Sequence, residues 1–209
     1  MKVLRKKTGD TIHVTDGKGF LYDARITVAD IDQCGFEVVE KKESVHREYR
    51  IHIAISLLKN PDRLEWFVEK AIEFGVDEIT LMVCDRTEKH HFKTERLEKL
   101  AVSAMKQSLN LWLPSLKGPL PFLDVIETAT AEERFIAYVD PDNPRQLQSA
   151  VKRNGSYLVL IGPEGDFTPA ELQLALEHHF IKVSLGASRL RTETAGLAAC
   201  HILNLVNSG

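Results

Sequence analysis

The stretch Tyr157-Leu158-Val159-Leu160-Ile161-Gly162-Pro163-Glu164-Gly165-Asp166-Phe167-Thr168-Pro169-Ala170-Glu171 decides the fold. Its first five residues are apolar without alternation, which is what a central parallel strand covered on both faces requires. The run enters a glycine-rich turn at Gly162 and Gly165 and then a helix start. Thr168 suits the N-cap, Pro169 the first helical position, and Glu171 completes a capping box three residues on. The carboxyl ends of parallel strands are where α/β proteins bind ligands, and glycines there let a ligand approach the backbone. The spacing is neither a dinucleotide fingerprint nor a phosphate loop. On the glycines alone, a ligand loop and a plain tight strand–helix turn both stand.

A second strand-to-helix boundary follows in Ser184-Leu185-Gly186-Ala187-Ser188-Arg189-Leu190-Arg191-Thr192-Glu193-Thr194-Ala195-Gly196. If its strand neighbours the first, two arginines and a glutamate lie beside the glycine loop. A solvated helix start with local ion pairs is the other reading. Ala195, Ala198, Ala199 and Ile202 form a small-residue helix face, suited to a partner helix or to packing within the same subunit.

Upstream, the same alternation of strand and helix extends back to residue 51 and predicts an α/β domain with a mostly parallel sheet. Ile51–Ile55 reads as a strand, and Asn60-Pro61-Asp62 opens a helix whose Leu64, Phe67, Val68, Ala71 and Ile72 share one face until Gly75 closes it. Glu78–Cys84 reads as a strand, residues 94–108 as a helix, 113–116 as a strand, 120–129 as a helix, 135–139 and 182–185 as strands, and 192–206 as the last helix. Residues 1–50 read differently. Thr11–Thr15 alternates, Asp16-Gly17-Lys18-Gly19 signals a hairpin, and Phe20–Val28 and Gly35–Glu40 give two more strands. This is a small, barrel-like β module. The charged join near residues 41–50 suggests a boundary, with domains at 1–48 and 49–209.

The chain has 209 residues, 27 Lys+Arg and 30 Asp+Glu; 44% of its residues are hydrophobic and 27% charged. That composition excludes a disordered chain, a collagen and a coiled coil. No apolar run reaches the roughly 18 residues needed to span a bilayer, and Met1–Lys7 is followed by no apolar stretch, so neither a membrane span nor a signal peptide is expected. Cys34, Cys84 and Cys200 are odd in number and form no CxxC, so they read as reduced core cysteines of a cytosolic protein. The pairs His90-His91 and His178-His179 read as surface or structural histidines, and no spacing resembles a zinc site. Cys200 and His201 are adjacent on a helix and point apart, and neither Ser184 nor Ser188 has a nucleophile-elbow context. No metal is expected.

Together these residues resemble a known family. Gly162-Pro163-Glu164-Gly165, then Leu185-Gly186 and Leu190-Arg191-Thr192-Glu193-Thr194-Ala195, are similar to the two C-terminal signatures of the RsmE family, methyltransferases of 16S ribosomal RNA in the SPOUT superfamily. Arg63-Leu64-Glu65-Trp66, Lys70-Ala71 and Phe74–Ile79 match its first helix and following strand, Asp85-Arg86-Thr87 an acid-Arg-Ser/Thr turn, and Gln107-Ser108 a further pair. The resemblance implies a SPOUT-type domain with a trefoil knot, a rare exception to the usual threading rule, preceded by a PUA-like β-barrel. It implies S-adenosylmethionine held by Leu160, Ile161, Gly162, Glu164, Gly165, Leu185, Gly186, Leu190, Arg191 and Thr192. It implies methylation of uridine N3 in the small ribosomal subunit by a cytoplasmic homodimer, with RNA contacts from Arg5, Lys6, Lys7 and Arg86.

Three departures from the family pattern stand out. Asp166 replaces a frequent second glycine; Asp tolerates a left-handed backbone better than most residues. Ala187-Ser188-Arg189 displaces an arginine by one position, which favours Arg191 over Arg189. The stretch matching Lys2–Asp10 lacks about two dozen preceding residues, so a truncated start and an incomplete barrel are expected. Uridine N3 must lose a proton to become nucleophilic, and a cation stabilises the anion. Arg191 is the candidate for that task, with Glu193 orienting it or accepting the proton. A SPOUT enzyme acting on another RNA such as tRNA, and a non-catalytic ribosome-assembly protein, are the rival readings. Residues 1–50 carry 10 basic and 9 acidic side chains and the remainder 17 and 21, so the acidic excess lies outside the module with the basic cluster Lys2, Arg5, Lys6 and Lys7. Phosphate contacts need only such a local patch.

Overall fold

The computed structural model describes residues 6–30, 33–88, 92, 94–140, 142 and 145–208. The chain divides into two compact units. One comprises the chain up to His46 with Leu109–Leu113, the other Arg47–Ser108 with Pro114 onward.

In the first unit, β1 (Thr11–Thr15), β2 (Phe20–Ala29) and β3 (Cys34–Glu43) form an antiparallel sheet in that order. Among the described residues no ladder closes β3 onto β1. Bulges at Asp23/Ala24 and Ile26/Val28 break the register of the β2–β3 pair. Only Ala24 and Ile26 of these strands are fully buried. The short return Leu109–Leu113 had no signal in the sequence. It is tied to the hairpin by Gly19 N–H donating to Leu111 O (2.9 Å) and Leu113 N–H donating to Gly17 O (2.8 Å). Trp112 stacks so closely that a Cβ on Gly19 would lie 2.3 Å from its ring, so only glycine fits there. Cys34 is exposed on β3, which corrects its reading as a core residue, whereas Cys84 and Cys200 are buried. Cys34 lies at the start of an edge strand with no layer over it.

The second unit is built on six parallel strands in the order β6-β5-β4-β8-β7-β9. These are β4 (Arg50–Ser56), β5 (Glu78–Val83), β6 (Ser115–Pro121), β7 (Glu133–Ala137), β8 (Ser156–Ile161) and β9 (Ile181–Val183). Among the described residues six helices connect and flank them: α1 (Pro61–Glu73), α2 (Thr94–Gln107), α3 (Phe122–Glu127), the single turn α4 (Leu147–Ala150), α5 (Pro169–Glu177) and α6 (Thr192–Ser208). Strand β8 is apolar from Tyr157 to Ile161 because both its faces are covered there. Tyr157, Val159 and Ile161 join the core under α1, α2 and α6. Leu158 and Leu160 join Phe122, Ile126, Phe167 and Ala175 under α3 and α5. After β9 the chain doubles back from the sheet edge to the middle, and α6 packs on α1, α4, β4 and β8. A Cβ on Gly196 of α6 would sit 2.6 Å from the Phe67 ring of α1, so that crossing depends on a missing side chain.

The expected strand at 113–116 is displaced to Ser115–Pro121, and the expected helix at 120–129 shortens to Phe122–Glu127. Here β6 is an edge strand, where proline is tolerated, and Gly118 (φ +94°) is needed because a Cβ would meet Leu81 O at 2.3 Å. The expected strand 182–185 is displaced to Ile181–Val183; Ser184 continues only as an isolated parallel bridge to Gln146, and Leu185 lies in a bend. The pair His90-His91 lies outside the described residues. Of the other pair, His178 caps α5 and His179 (φ 64°) follows it on the surface.

Candidate functional site

The parallel order puts the carboxyl ends of β7, β8 and β9 side by side, and a cavity of about 670 Å³ opens there. Its walls are the segments after those strands: Ala137–Asp140, Ile161–Glu164 with Asp166, and Val183–Thr192, joined by Arg63, Gln146 and Ala195. The volume is within the range of sites for drug-sized ligands.

The glycine loop is fixed from both sides. Thr168 accepts from Glu171 N–H at 3.2 Å while Glu171 accepts from Thr168 N–H at 2.8 Å, the reciprocal capping box the sequence predicts. Glu171 is buried, and its other oxygen accepts Asp85 N–H at 2.9 Å, so the α5 cap also anchors the turn after β5. Gly162 passes directly over Phe167: a Cβ there would lie 3.0 Å from two ring carbons. Asp166 adopts φ 62°, in the left-handed region. Its carboxylate accepts Phe167 N–H (2.8 Å) and Val139 N–H (3.4 Å), tying the loop after β8 to the loop after β7. Burial raises the Asp166 carboxyl above its usual value, opposed by those N–H groups and by Arg189 and Arg86.

The second loop turns at Ser184, whose hydroxyl donates to Gly186 O (3.0 Å) and accepts Gly186 N–H (3.3 Å). Gly186 has φ +132° with open space around it, so backbone conformation alone demands glycine there. Arg189 and Arg191 are exposed and line the cavity, while Thr192 and Glu193 are buried at the start of α6. Among the described residues no ion pair holds Arg191. Glu193 Oε1 faces Arg63 Nε at 3.7 Å, and Glu193 Oε2 is buried with no hydrogen-bond partner among the described residues. The carboxylate expected beside Arg191 thus lies against the first turn of α1.

Of the expected cofactor residues, Ile161, Gly162, Glu164, Leu185, Gly186, Leu190, Arg191 and Thr192 line the cavity. Leu160 points into the α3–α5 core and Gly165 stands outside the lining. Arg86, expected at RNA, donates to Gly165 O at 2.7 Å and so braces the glycine loop. Lys6 and Lys7 are exposed in the first unit, and Arg5 and Lys2 lie outside the described residues. The sequence missed Arg63, Gln146 and the Ala137–Asp140 wall. The strand at 135–139 was a signal for that wall, because β7 pairs with β8 and ends at the same level. Among the described residues no group of three or more His, Cys, Asp or Glu side chains could hold a metal ion, and no helix is long and apolar enough to cross a membrane.

Comparison with known proteins adds two family matches: an RNA methyltransferase domain over residues 45–204 and an RNA methyltransferase PUA domain over residues 1–38. Ribosomal RNA small subunit methyltransferase E of Bacillus subtilis is 27% identical, over 98% of this chain and 85% of that protein. A probable rRNA-methyltransferase from Porphyromonas gingivalis superposes with a TM-score of 0.92 at 43% identity, covering 99% of this chain and 89% of that one. Ribosomal RNA small subunit methyltransferase E of Neisseria gonorrhoeae, bound to S-adenosyl methionine, superposes with a TM-score of 0.89 at 26% identity, covering 99% and 87%.

Proposed function

Because this chain belongs to the RsmE family of RNA methyltransferases, we propose that it methylates N3 of a uridine in 16S ribosomal RNA. Methylation of ribosomal RNA with S-adenosylmethionine is the activity of the family; the base, the atom and the small-subunit site are the finer reading. The observation that carries it is the cavity between the two glycine-bearing loops, whose residues fit the cofactor. Gly162 and Gly186 line the cavity, its volume takes a nucleoside-sized ligand, and Arg63, Arg189 and Arg191 line it as well.

When bound, S-adenosylmethionine supplies a sulfonium methyl group for in-line displacement, so positioning is a main task of the protein. The backbone groups after β8 and β9 hold the nucleoside end without adding charge. Arg191, exposed at the cavity, faces the incoming base and stabilises the anion left when N3 loses its proton. N3 is on the pairing edge, so the target uridine is unpaired or flipped out when it reacts. The enzyme acts in the cytoplasm as a homodimer, with the exposed Lys6 and Lys7 of the first unit contacting phosphates.

Nucleoside mass spectrometry of 16S rRNA from a deletion strain tests the assignment. Loss of 3-methyluridine, restored by the wild-type gene, is expected; persistence of that nucleoside overturns it. Arg191→Ala is expected to bind S-adenosylmethionine in calorimetry and to lose transfer to small subunits in vitro. Unchanged transfer rates overturn its role.

A further inference from the structure

Arg63 lines the cavity from α1, outside the two glycine loops, and was not among the residues expected at the cofactor. It sits in the first turn of α1, where the helix dipole disfavours a cation. Glu193, with its side chain 8% exposed, lies against Arg63 Nε at 3.7 Å, in the first turn of α6 where a carboxylate is favourable. That approach occupies the Nε side of the guanidinium. Among the described residues no hydrogen bond or ion pair engages either terminal nitrogen of Arg63, yet the side chain lines the cavity. A guanidinium presenting both terminal nitrogens recognises a planar carboxylate through two parallel hydrogen bonds. Arg189 and Arg191 line the same cavity but stand exposed on a loop, with no ion pair to either among the described residues.

We infer that Arg63 binds the α-carboxylate at the amino-acid end of the cofactor, and that Glu193 is a positioning residue that acts by holding Arg63 in place. The inference rests on the cofactor reading above. Arg63 belongs to the cavity wall shared with the two glycine loops, which favours the cofactor's carboxylate over an RNA phosphate as its anion. Glu193 cancels the charge of Arg63, so the fork adds no net positive charge to a cavity that takes a sulfonium.

Calorimetry on the full chain with two ligands tests this. S-adenosylhomocysteine carries the amino-acid end, and 5′-methylthioadenosine shares the nucleoside and sulfur but lacks it. Arg63→Gln is expected to weaken S-adenosylhomocysteine roughly 10- to 100-fold while leaving methylthioadenosine within about twofold. Arg63→Lys, which keeps the charge and loses the fork, is expected to fall between wild type and Arg63→Gln. Glu193→Gln is expected to weaken S-adenosylhomocysteine selectively but less. Equal loss for both ligands, or no loss for either, overturns the inference while the cofactor reading stands. So does a defect confined to KM for small subunits, which would assign Arg63 to the RNA. Wild-type protein that binds neither ligand overturns the cofactor reading as well.

Discussion

His52 lies on β4, away from the cavity, with its side chain 24% exposed and its Nε2 2.8 Å from Thr80 Oγ1. Glu78 stands 3.5 Å from the ring and is itself paired with Lys117 at 2.7 Å. Burial pushes the imidazole down from 6.5 to about 4, with Glu78 opposing the shift and Lys117 adding to it. The folded state therefore keeps His52 neutral where the unfolded chain would bind a proton. Its contribution is fully present above about pH 6.5 and is lost as pH falls, by up to about 1.4 kcal/mol per unit, levelling off below about pH 4. Between pH 7 and pH 5 the loss comes to about 2 kcal/mol. Urea unfolding at the two pH values, for wild type and His52→Gln, isolates the effect, because the pH-independent cost of the substitution cancels. At a urea dependence of about 2 kcal/mol per molar, the wild-type midpoint should fall by about 1 M more than that of the variant. Equal falls in the two proteins would refute the reasoning, since the acid limb would then belong to other groups.

Gly196→Leu drives a side chain into Phe67, and a loss of about 3 kcal/mol or more is expected, read as a lower Tm, with partial recovery when Phe67→Ala is added. No recovery would place the damage elsewhere. Gly186→Ala meets no atom within 4 Å, so its cost of about 1–3 kcal/mol is all backbone conformation. Cofactor affinity should fall, with Tm lowered by about 2–12 °C; intact affinity would show that the loop binds nothing. Asp166→Asn keeps an acceptor for Phe167 N–H and tolerates φ 62°, so cofactor binding should stay near wild type. Asp166→Ala should lose roughly tenfold, and identical affinities for the two variants would remove the loop-bridging role.

The parallel sheet was legible because both signals that define it are local. Strand β8 is apolar at every core position, and Asn60 and Thr168 cap the helices that follow β4 and β8 through their own side chains. The glycine loop was legible for the same reason: its turn, its cap and its proline lie within a few residues of one another. What the sequence could not show was pairing across distance. Arg86 reads as an exposed basic residue in a turn, and only the fold brings it 2.7 Å from Gly165 O, 79 positions away. Glu193 reads as a partner for its neighbour Arg191, but the α1–α6 crossing permitted by Gly196 presents Arg63 instead. Leu109–Leu113 joins the first unit through backbone hydrogen bonds, which leave no mark on side-chain pattern. The shift of β6 is a different failure: Gly118 and Pro119 are breakers in a central strand and permissible in an edge strand, and edge position is itself a tertiary fact.

The net charge of the catalytic unit does not describe the site it contains. The second unit holds 19 basic and 22 acidic side chains, yet among the described lining residues Arg63, Arg189 and Arg191 stand against Asp140, Glu164 and Asp166. Several of these charges are already spoken for. Asp140 pairs with Lys182 at 2.5 Å, Asp166 accepts two backbone N–H groups, and Arg63 is offset by Glu193. The cavity therefore offers a sulfonium no strong net field in either direction, and discrimination has to come from placed groups: backbone at Gly162 and Gly186, and the guanidinium fork of Arg63. Such an arrangement suits an enzyme that releases a neutral thioether after each turnover. A site that held the sulfonium chiefly by negative charge would stabilise the ground state most, and binding that does not grow in the transition state does not accelerate transfer. Arg191 has the complementary position: it is exposed at the cavity, with no ion pair among the described residues, so its charge is not already committed to holding the loop.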